Sequence, residues 1–203
     1  MRSTLLLLVT VAAVFTSPLH LFAQAAPAVL KSEEVEVSAV KFSSARFGGD
    51  TWIEADVEVE ARPGGKIISG QFVDRVRVIL SLGSEGTDDK GAKTFVFFRS
   101  SAEILTLEAG KANVRFYFAP EAVKRDKLSP AFKFYVAEVE VGGQAQRQAK
   151  PSFSAAFTNA ASIQTFLTKA TSESAPNEGL LMPQFLSPFA ADPQKRAPTF
   201  SRK

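Results

Sequence analysis

The chain has 203 residues, with 24 lysines and arginines against 21 aspartates and glutamates, so its formal net charge is +3. This near balance gives no basis for nucleic-acid binding or for strong adhesion to an anionic membrane. Cysteine is absent and the one histidine is His20, so any fold must be held by its core without disulfide bonds.

Residues 1–25 have the pattern of a secretory signal peptide. A short basic start precedes an uncharged apolar run from Leu5 to Phe15, and the A-x-A sequence Ala23-Gln24-Ala25 follows. Pro18 interrupts the run before it reaches the roughly 20 apolar residues of a membrane-spanning helix. We therefore expect cleavage after Ala25, export by a Sec-type pathway to the periplasm or cell surface, and no integral membrane span in the mature chain.

Removal of the leader would leave a mature chain with neither histidine nor cysteine. Ser-His-Asp triads, Cys-His pairs and ordinary zinc sites each need one of these side chains. No other catalytic or cofactor-binding motif stands out in the sequence. We therefore expect a protein that is not an enzyme and carries no cofactor.

Residues 31–150 alternate between apolar and polar side chains in seven or eight short segments separated by turn signals. The clearest runs from Ile53 to Ala61, and a change of parity near Ser38 predicts a β-bulge. Gly142-Gly143 predicts a two-residue hairpin turn, and Pro120 begins a predicted helix near 120–127. The predicted fold is mainly β, an immunoglobulin-like antiparallel β-sandwich of seven to eight strands.

The strand from Ile53 to Ala61 carries a ladder of carboxylates on its other face, namely Glu54, Asp56, Glu58 and Glu60. Such a ladder could bind calcium or supply the carboxylate pair of a glycosidase. The simpler interpretation is a solvated face whose repulsion is relieved by cations on a neighbouring strand. Arg75 and Arg77 are the predicted neighbours.

Residues 151–172 are predicted to form a C-terminal helix that packs on the sandwich. An amphipathic stretch near 159–170 has apolar residues at helical spacing. We expect it to cover an outer apolar face that holds Phe98, Tyr117 and Tyr135. If the two tyrosines were instead exposed in a row, they would favour a carbohydrate-binding module.

Residues 173–203 form a proline-rich tail with an apolar cluster that a simple linker would not need. The cluster either wraps back onto the domain or binds a partner, and its candidate residues are Leu181, Met182, Phe185, Leu186 and Phe189. A second candidate patch consists of Lys124, Arg125 and Lys127. These cations either dock an acidic partner or complement the negative end of the short helix.

Three segments together resemble a known group of proteins: VKFSSARFGGDTWIEADVEVEARP from Val40, VDRVRVILSLG from Val73, and KTFVFFRSSAEILTLEAGKANVRFYFAPEAVKRDKLS from Lys93. They are similar to secreted immunoglobulin-like proteins of verrucomicrobial gut bacteria, encoded beside type IV pilus assembly genes. The resemblance covers Glu33 to Lys150. It implies an immunoglobulin-like sandwich, a part in pilus formation or the outer envelope, and no active site.

These observations lead to one main hypothesis and one alternative. The main hypothesis is a non-enzymatic, exported binding or scaffold protein whose partners are other envelope or pilus assembly proteins. The alternative is a carbohydrate-binding module or a carboxylate-based glycosidase.

Overall fold

A computed structural model describes residues 34–87 and 91–201, so the predicted signal peptide lies outside the described residues. Nine strands and two α-helices are found there. In chain order they are β1 (Val35–Phe47), β2 (Asp50–Ala61), β3 (Phe72–Thr87), β4 (Lys93–Glu108), β5 (Gly110–Phe118), α1 (Pro120–Arg125), β6 (Phe134–Val141), β7 (Gln144–Ala145), α2 (Ala160–Glu173), β8 (Leu181–Pro183) and β9 (Thr199–Phe200).

The strands form two antiparallel sheets, one in the order β1-β2-β5-β8 and the other in the order β7-β6-β3-β4-β9. Alternate side chains of both sheets meet in one core that includes Val57, Leu80, Phe98, Val114 and Phe116. The predicted class, a mainly β antiparallel sandwich, is confirmed. The strand count exceeds the predicted seven to eight because β8 and β9 come from the tail.

Local sequence signals account for several details of the sheets. The register of β1 on β2 shifts between Val37 and Ala39, as the change of parity predicted. Gly142 and Gly143 adopt φ values of 57° and 82°, which form the tight β6–β7 turn that other residues would enter only with strain.

α2 is the predicted C-terminal helix, and Asn159 caps its first turn, since the Asn159 side chain accepts a 2.8 Å hydrogen bond from the Ser162 amide. Its residues Phe166 and Ala170 pack on the outer face of the five-stranded sheet. A Cβ atom at Gly83 would lie 2.9 Å from the Phe166 ring, so glycine allows this close approach. None of the helices in the described ranges is long and apolar enough to cross a membrane.

The prediction of which surface α2 covers is wrong. The helix covers Phe97 and Val136, whereas Phe98 faces the main core, with its ring 4.9 Å from that of Phe118. Tyr117 lies on the outer face of the other sheet, and Tyr135 packs at the margin of the main core. The prediction failed because β4 is apolar on both faces, one towards the core and one towards α2.

The C-terminal tail closes one side of the sandwich. β8 pairs with β5 of the four-stranded sheet, and β9 pairs with β4 of the five-stranded sheet. Leu181 is only 1% exposed and belongs to the main core. The rings of Phe185, just after β8, and Phe200, in β9, lie 5.2 Å apart. This contact connects the two tail segments that pair with the sheets. Of the two alternatives for the tail, the structure has the one in which it wraps onto the domain.

Candidate functional site

A groove of about 680 Å³ lies beside the outer edge of β4. One wall is polar and comes from β3, β4 and β6, with Arg77, Arg99 and Ser101. The other wall is the chain from the end of α2 to Leu186. The groove therefore exists because the tail folds alongside β4 without covering the outward-facing polar side chains of the sheet.

The polar wall is close to electrically neutral because its arginines are paired. Arg99 Nη1 lies 2.8 Å from Glu138 Oε2 and also donates a hydrogen bond to Ser81. Arg77 Nη1 lies 3.7 Å from a carboxylate oxygen of Glu140, and its Nη2 donates to Ser101 Oγ at 3.3 Å. The Arg77–Glu140 pair joins the neighbouring strands β3 and β6, whereas the Arg99–Glu138 pair reaches across β3 from β4 to β6. Both pairs hold the guanidinium groups over the sheet.

The apolar wall gathers four of the five candidate residues of the tail. Leu181, Met182, Phe185 and Leu186 all line the groove. Leu181 is buried and serves the core, while Met182 and Phe185 are partly buried. Leu186 is 67% exposed at the rim, in the 3-10 turn Gln184–Leu186, and is the member most available to a partner.

Phe189, the fifth candidate, lies elsewhere and is only 3% exposed. Its ring stacks on that of Tyr117 with centroids 4.4 Å apart, and it meets the Trp52 ring edge-on at 5.6 Å. Of the two alternatives given for the cluster, Phe189 has the one in which it packs on the domain, because its side chain covers the outer face of the four-stranded sheet. Its contacts are intramolecular and apolar.

Beside Phe189, a cluster of Glu54, Tyr117 and Lys195 connects the tail to β2. Glu54 Oε2 accepts a 2.7 Å hydrogen bond from the Tyr117 hydroxyl and an ion-paired hydrogen bond from Lys195 Nζ. Gln184 Nε2 donates to the carbonyl oxygens of Phe189 and Lys195 at 3.1 and 2.8 Å, which fixes the intervening loop. Gln184 and Lys195 were not predicted as site residues, because no local sequence pattern connects them to Glu54.

The rest of the carboxylate ladder is neutralised within its own sheet. Lys111 Nζ lies 2.7 Å from Glu58 Oε1, and the hydrogen bonds from Lys111 and Ser38 lower the pKa of Glu58. Arg115 Nε lies 3.4 Å from Asp56 Oδ2. Within the described residues, no group of three or more histidine, cysteine, aspartate or glutamate side chains could hold a metal ion.

The prediction that Arg75 and Arg77 lie beside the carboxylate ladder is wrong. Both lie on β3, in the opposite sheet, where Arg77 faces Glu140 of β6. The strands beside the ladder are β1 and β5. Strand pairing here is decided by contacts between distant parts of the chain, so adjacency in sequence gave the wrong partner.

The three cations at the end of α1 do not line the groove. Arg125 forms two 2.7 Å hydrogen bonds with Asp126, and its Nη2 donates to Asn177 Oδ1 at 3.2 Å. Lys124 and Lys127 are exposed near the same helix end. Arg125 thus connects α1 to the start of the tail, and its partner-binding role remains a prediction.

Tyr117 gives the protein a predictable alkaline sensitivity. Burial, with the hydrogen bond to Glu54 next in importance, raises the pKa of the Tyr117 phenol far above its ordinary value of 10.0. In the unfolded chain this phenol ionises near pH 10, whereas in the fold it keeps its proton. The unfolded state then binds one proton fewer, so stability should fall with rising pH by up to about 1.4 kcal/mol per pH unit above about pH 10.

Urea unfolding at several pH values between about 9 and 11 would test this. Tyr117→Phe should make the decline in unfolding free energy shallower by roughly that slope. Tyr135, whose pKa burial also raises, is present in both proteins and contributes equally. Equal slopes for the wild type and the variant would contradict the assignment.

No protein-family model matches the sequence, and no curated protein matches it either. The fold resembles that of a solved protein, described as a crystal structure from Akkermansia muciniphila, with a TM-score of 0.58 and 13% sequence identity. The similarity covers 84% of this chain and 94% of the other. Akkermansia muciniphila is a verrucomicrobial gut bacterium. At this identity the similarity establishes a shared fold.

Proposed function

We propose that the chain is a non-enzymatic, exported binding protein of the bacterial envelope, linked to type IV pilus assembly. The observation that carries the proposal is the groove, in which the exposed Leu186 lies at the rim opposite Arg77 and Arg99. A concave site with an apolar contact point and oriented polar groups is suited to recognition. The leader pattern and the resemblance to verrucomicrobial secreted proteins support location in the periplasm or at the cell surface.

The described geometry favours binding of a protein over binding of a carbohydrate. A stacking platform for sugars would need Tyr117 and Tyr135 exposed and aligned, but Tyr117 is fully buried beneath Phe189. The carboxylates Glu54, Asp56 and Glu58 follow one another on one strand face and are each paired with cations. The groove walls, in contrast, combine apolar side chains with a sheet edge.

Affinity capture from detergent-solubilised envelope of a pilus-bearing verrucomicrobial bacterium would test the proposal. The full mature chain should recover pilus assembly proteins, identified by mass spectrometry. Leu186→Asp should reduce their recovery about tenfold or more, because loss of a desolvated anchor residue commonly costs about 2 kcal/mol or more of binding free energy.

Ile67→Asp is the matched control, since Ile67 is 53% exposed in the β2–β3 loop, away from the groove. This variant should recover the same proteins as the wild type. Absence of pilus assembly proteins from the wild-type capture would contradict the pilus link. Equal loss in both variants would contradict the groove as the binding site.

A further inference from the structure

We propose that the groove binds an extended segment of a partner protein, which adds as a strand to the outer edge of β4 between Phe97 and Glu103. This inference rests on the proposed binding function and specifies how the partner is recognised. Recognition by strand addition uses main-chain hydrogen bonds for affinity and pockets for alternate side chains for specificity.

Two hydrogen bonds show which backbone groups of β4 face outward. The Phe97 carbonyl accepts from Asn177 Nδ2 at 3.0 Å, and the Glu103 carbonyl accepts from the Ser201 amide at 2.8 Å. Neither donor belongs to β3, so both carbonyls point away from it. The β3–β4 register is continuous across this region, and outward and inward backbone groups alternate along a strand. The amide and carbonyl groups of Arg99 and Ser101 therefore also point outward.

This part of the edge has no strand partner among residues 34–87 and 91–201. β4 lies between β3 and β9 in its sheet, and β9 pairs with it only at Ile104 and Thr106. Among the described residues no other strand pairs with the outer edge of β4. Such an edge is a template for another chain, and here it is bounded by Asn177 at one end and by Ser201 at the other.

The dimensions of the opening limit the partner to a short segment. Phe97 and Glu103 are six residues apart, which corresponds to roughly 20 Å of strand. Arg99, Ser100 and Ser101 all line the groove. The available length therefore matches a segment of about three to five residues.

The walls also define which side chains the segment should carry. Side chains next to Arg99 and Ser101 would project on the groove side, within reach of Leu186, and should be apolar. The side chain opposite Ser100 would project towards β8, which packs close to β4, and should be small. The partner sequence should therefore alternate apolar and small residues, as expected for strand pairing.

The other long edge of the sandwich is less suited to this role. β1 forms the outer strand of its sheet but has a bulge between Val37 and Ala39 and exposed cations at Lys41 and Arg46. Bulges and charged side chains are common devices that prevent pairing at sheet edges. β4 has neither device between Phe97 and Glu103, apart from Arg99, whose guanidinium is engaged by Glu138.

Hydrogen exchange of the full mature chain, measured by NMR, tests the free edge directly. The amides of Arg99 and Ser101 should exchange much faster than those of Ser100 and Ala102, which face β3. Nine-residue peptides selected on the wild-type protein from a randomised phage library should then slow exchange at Arg99 and Ser101. Protection of both outward amides in the free protein would overturn the proposal.

A substitution that removes one outward amide provides the second test. Ser101→Pro deletes this donor at an edge position, where proline is tolerated, whereas Ser101→Ala removes only the hydroxyl. Selected peptides should bind Ser101→Pro about tenfold or more weakly, as expected for a lost 1.4 kcal/mol, and should bind Ser101→Ala as they bind the wild type. Equal binding to all three proteins would contradict strand addition. If Ser101→Pro does not fold, the exchange measurement decides.

The two proposals can fail separately. If pilus assembly proteins are captured equally by the wild type and a folded Ser101→Pro variant, strand addition is wrong and the binding function stands. If selected peptides protect the β4 edge but no pilus assembly protein is captured, the edge is a binding site and the proposed pilus link is wrong.

Discussion

A chain that ends at Glu173 is expected to lose its cooperative unfolding transition. The deletion removes β8 and β9, and with them the buried side chains of Leu181 and Phe189. Loss of each large buried side chain commonly costs about 2 to 5 kcal/mol, while a whole domain is stable by only about 5 to 15 kcal/mol. The exposed edges of β4 and β5 would also favour aggregation.

Urea unfolding followed by Trp52 fluorescence and circular dichroism would measure this effect. Trp52 lies against Phe189, so its emission reports the tail contact as well as the fold. A chain that ends at Ser201 retains every described residue of the tail and should unfold like the full chain. A sharp transition at the same urea midpoint for both truncations would refute an integral role of the tail.

The substitution Phe189→Ala should destabilise the protein by about 3 to 5 kcal/mol, the range for removing a buried phenylalanine. The variant loses the stacking on Tyr117 and leaves the Glu54 and Lys195 pair more exposed to water. The free energy of unfolding from urea titrations measures the loss.

Phe72→Ala is the matched control for this substitution. Phe72 is 55% exposed at the start of β3, so its truncation should cost less than about 1 kcal/mol. A similar loss for the two phenylalanines would show that Phe189 is not the anchor its contacts indicate. If Phe189→Ala lowers the free energy of unfolding only slightly but reduces partner capture, Phe189 belongs to the binding surface.

A docking role of the tail is better tested by point substitutions than by deletion of the tail. Removing residues 174–203 would perturb the core, so a lost interaction could not be attributed to the deleted surface. Leu186→Asp changes an exposed side chain and Ser101→Pro removes an edge amide of a partly buried residue, and both leave the closure by β8 and β9 in place. They separate binding from folding more cleanly.

Much of the fold could be predicted because the signals were local. Alternation from Ile53 to Ala61, the glycine pair at the β6–β7 turn and the helical spacing before Ala170 each define an element within a few residues. Backbone geometry and side-chain periodicity act over that same range. The sandwich class followed from the number and spacing of such elements.

The arrangement of those elements was harder to predict where both faces of a strand are apolar. Phe97 and Phe98 are adjacent and chemically identical, yet one contacts α2 and the other the main core. A shift of one residue exchanges the two faces, and only the full set of neighbours decides which is correct.

The candidate site was predictable only in part, because its key contacts are long-range. The tail cluster was identified as apolar, and Leu186 does lie at the groove rim. The ion pair between Lys195 and Glu54 joins residues 141 positions apart, and no sequence pattern predicts a contact between them. The unpaired part of β4 is likewise set by long-range contacts, because Asn177 and Ser201 bind the carbonyl groups at its two ends.

The position of β9 has a consequence for biosynthesis. The last strand among the described residues ends at Phe200 and pairs with β4, which is made about a hundred residues earlier. A nascent chain therefore cannot complete the four-stranded sheet until β8 has been made, or the five-stranded sheet until β9 has been made. Both sheets therefore close late in synthesis, and a product that stops before β8 leaves the edges of β4 and β5 open to proteolysis or aggregation.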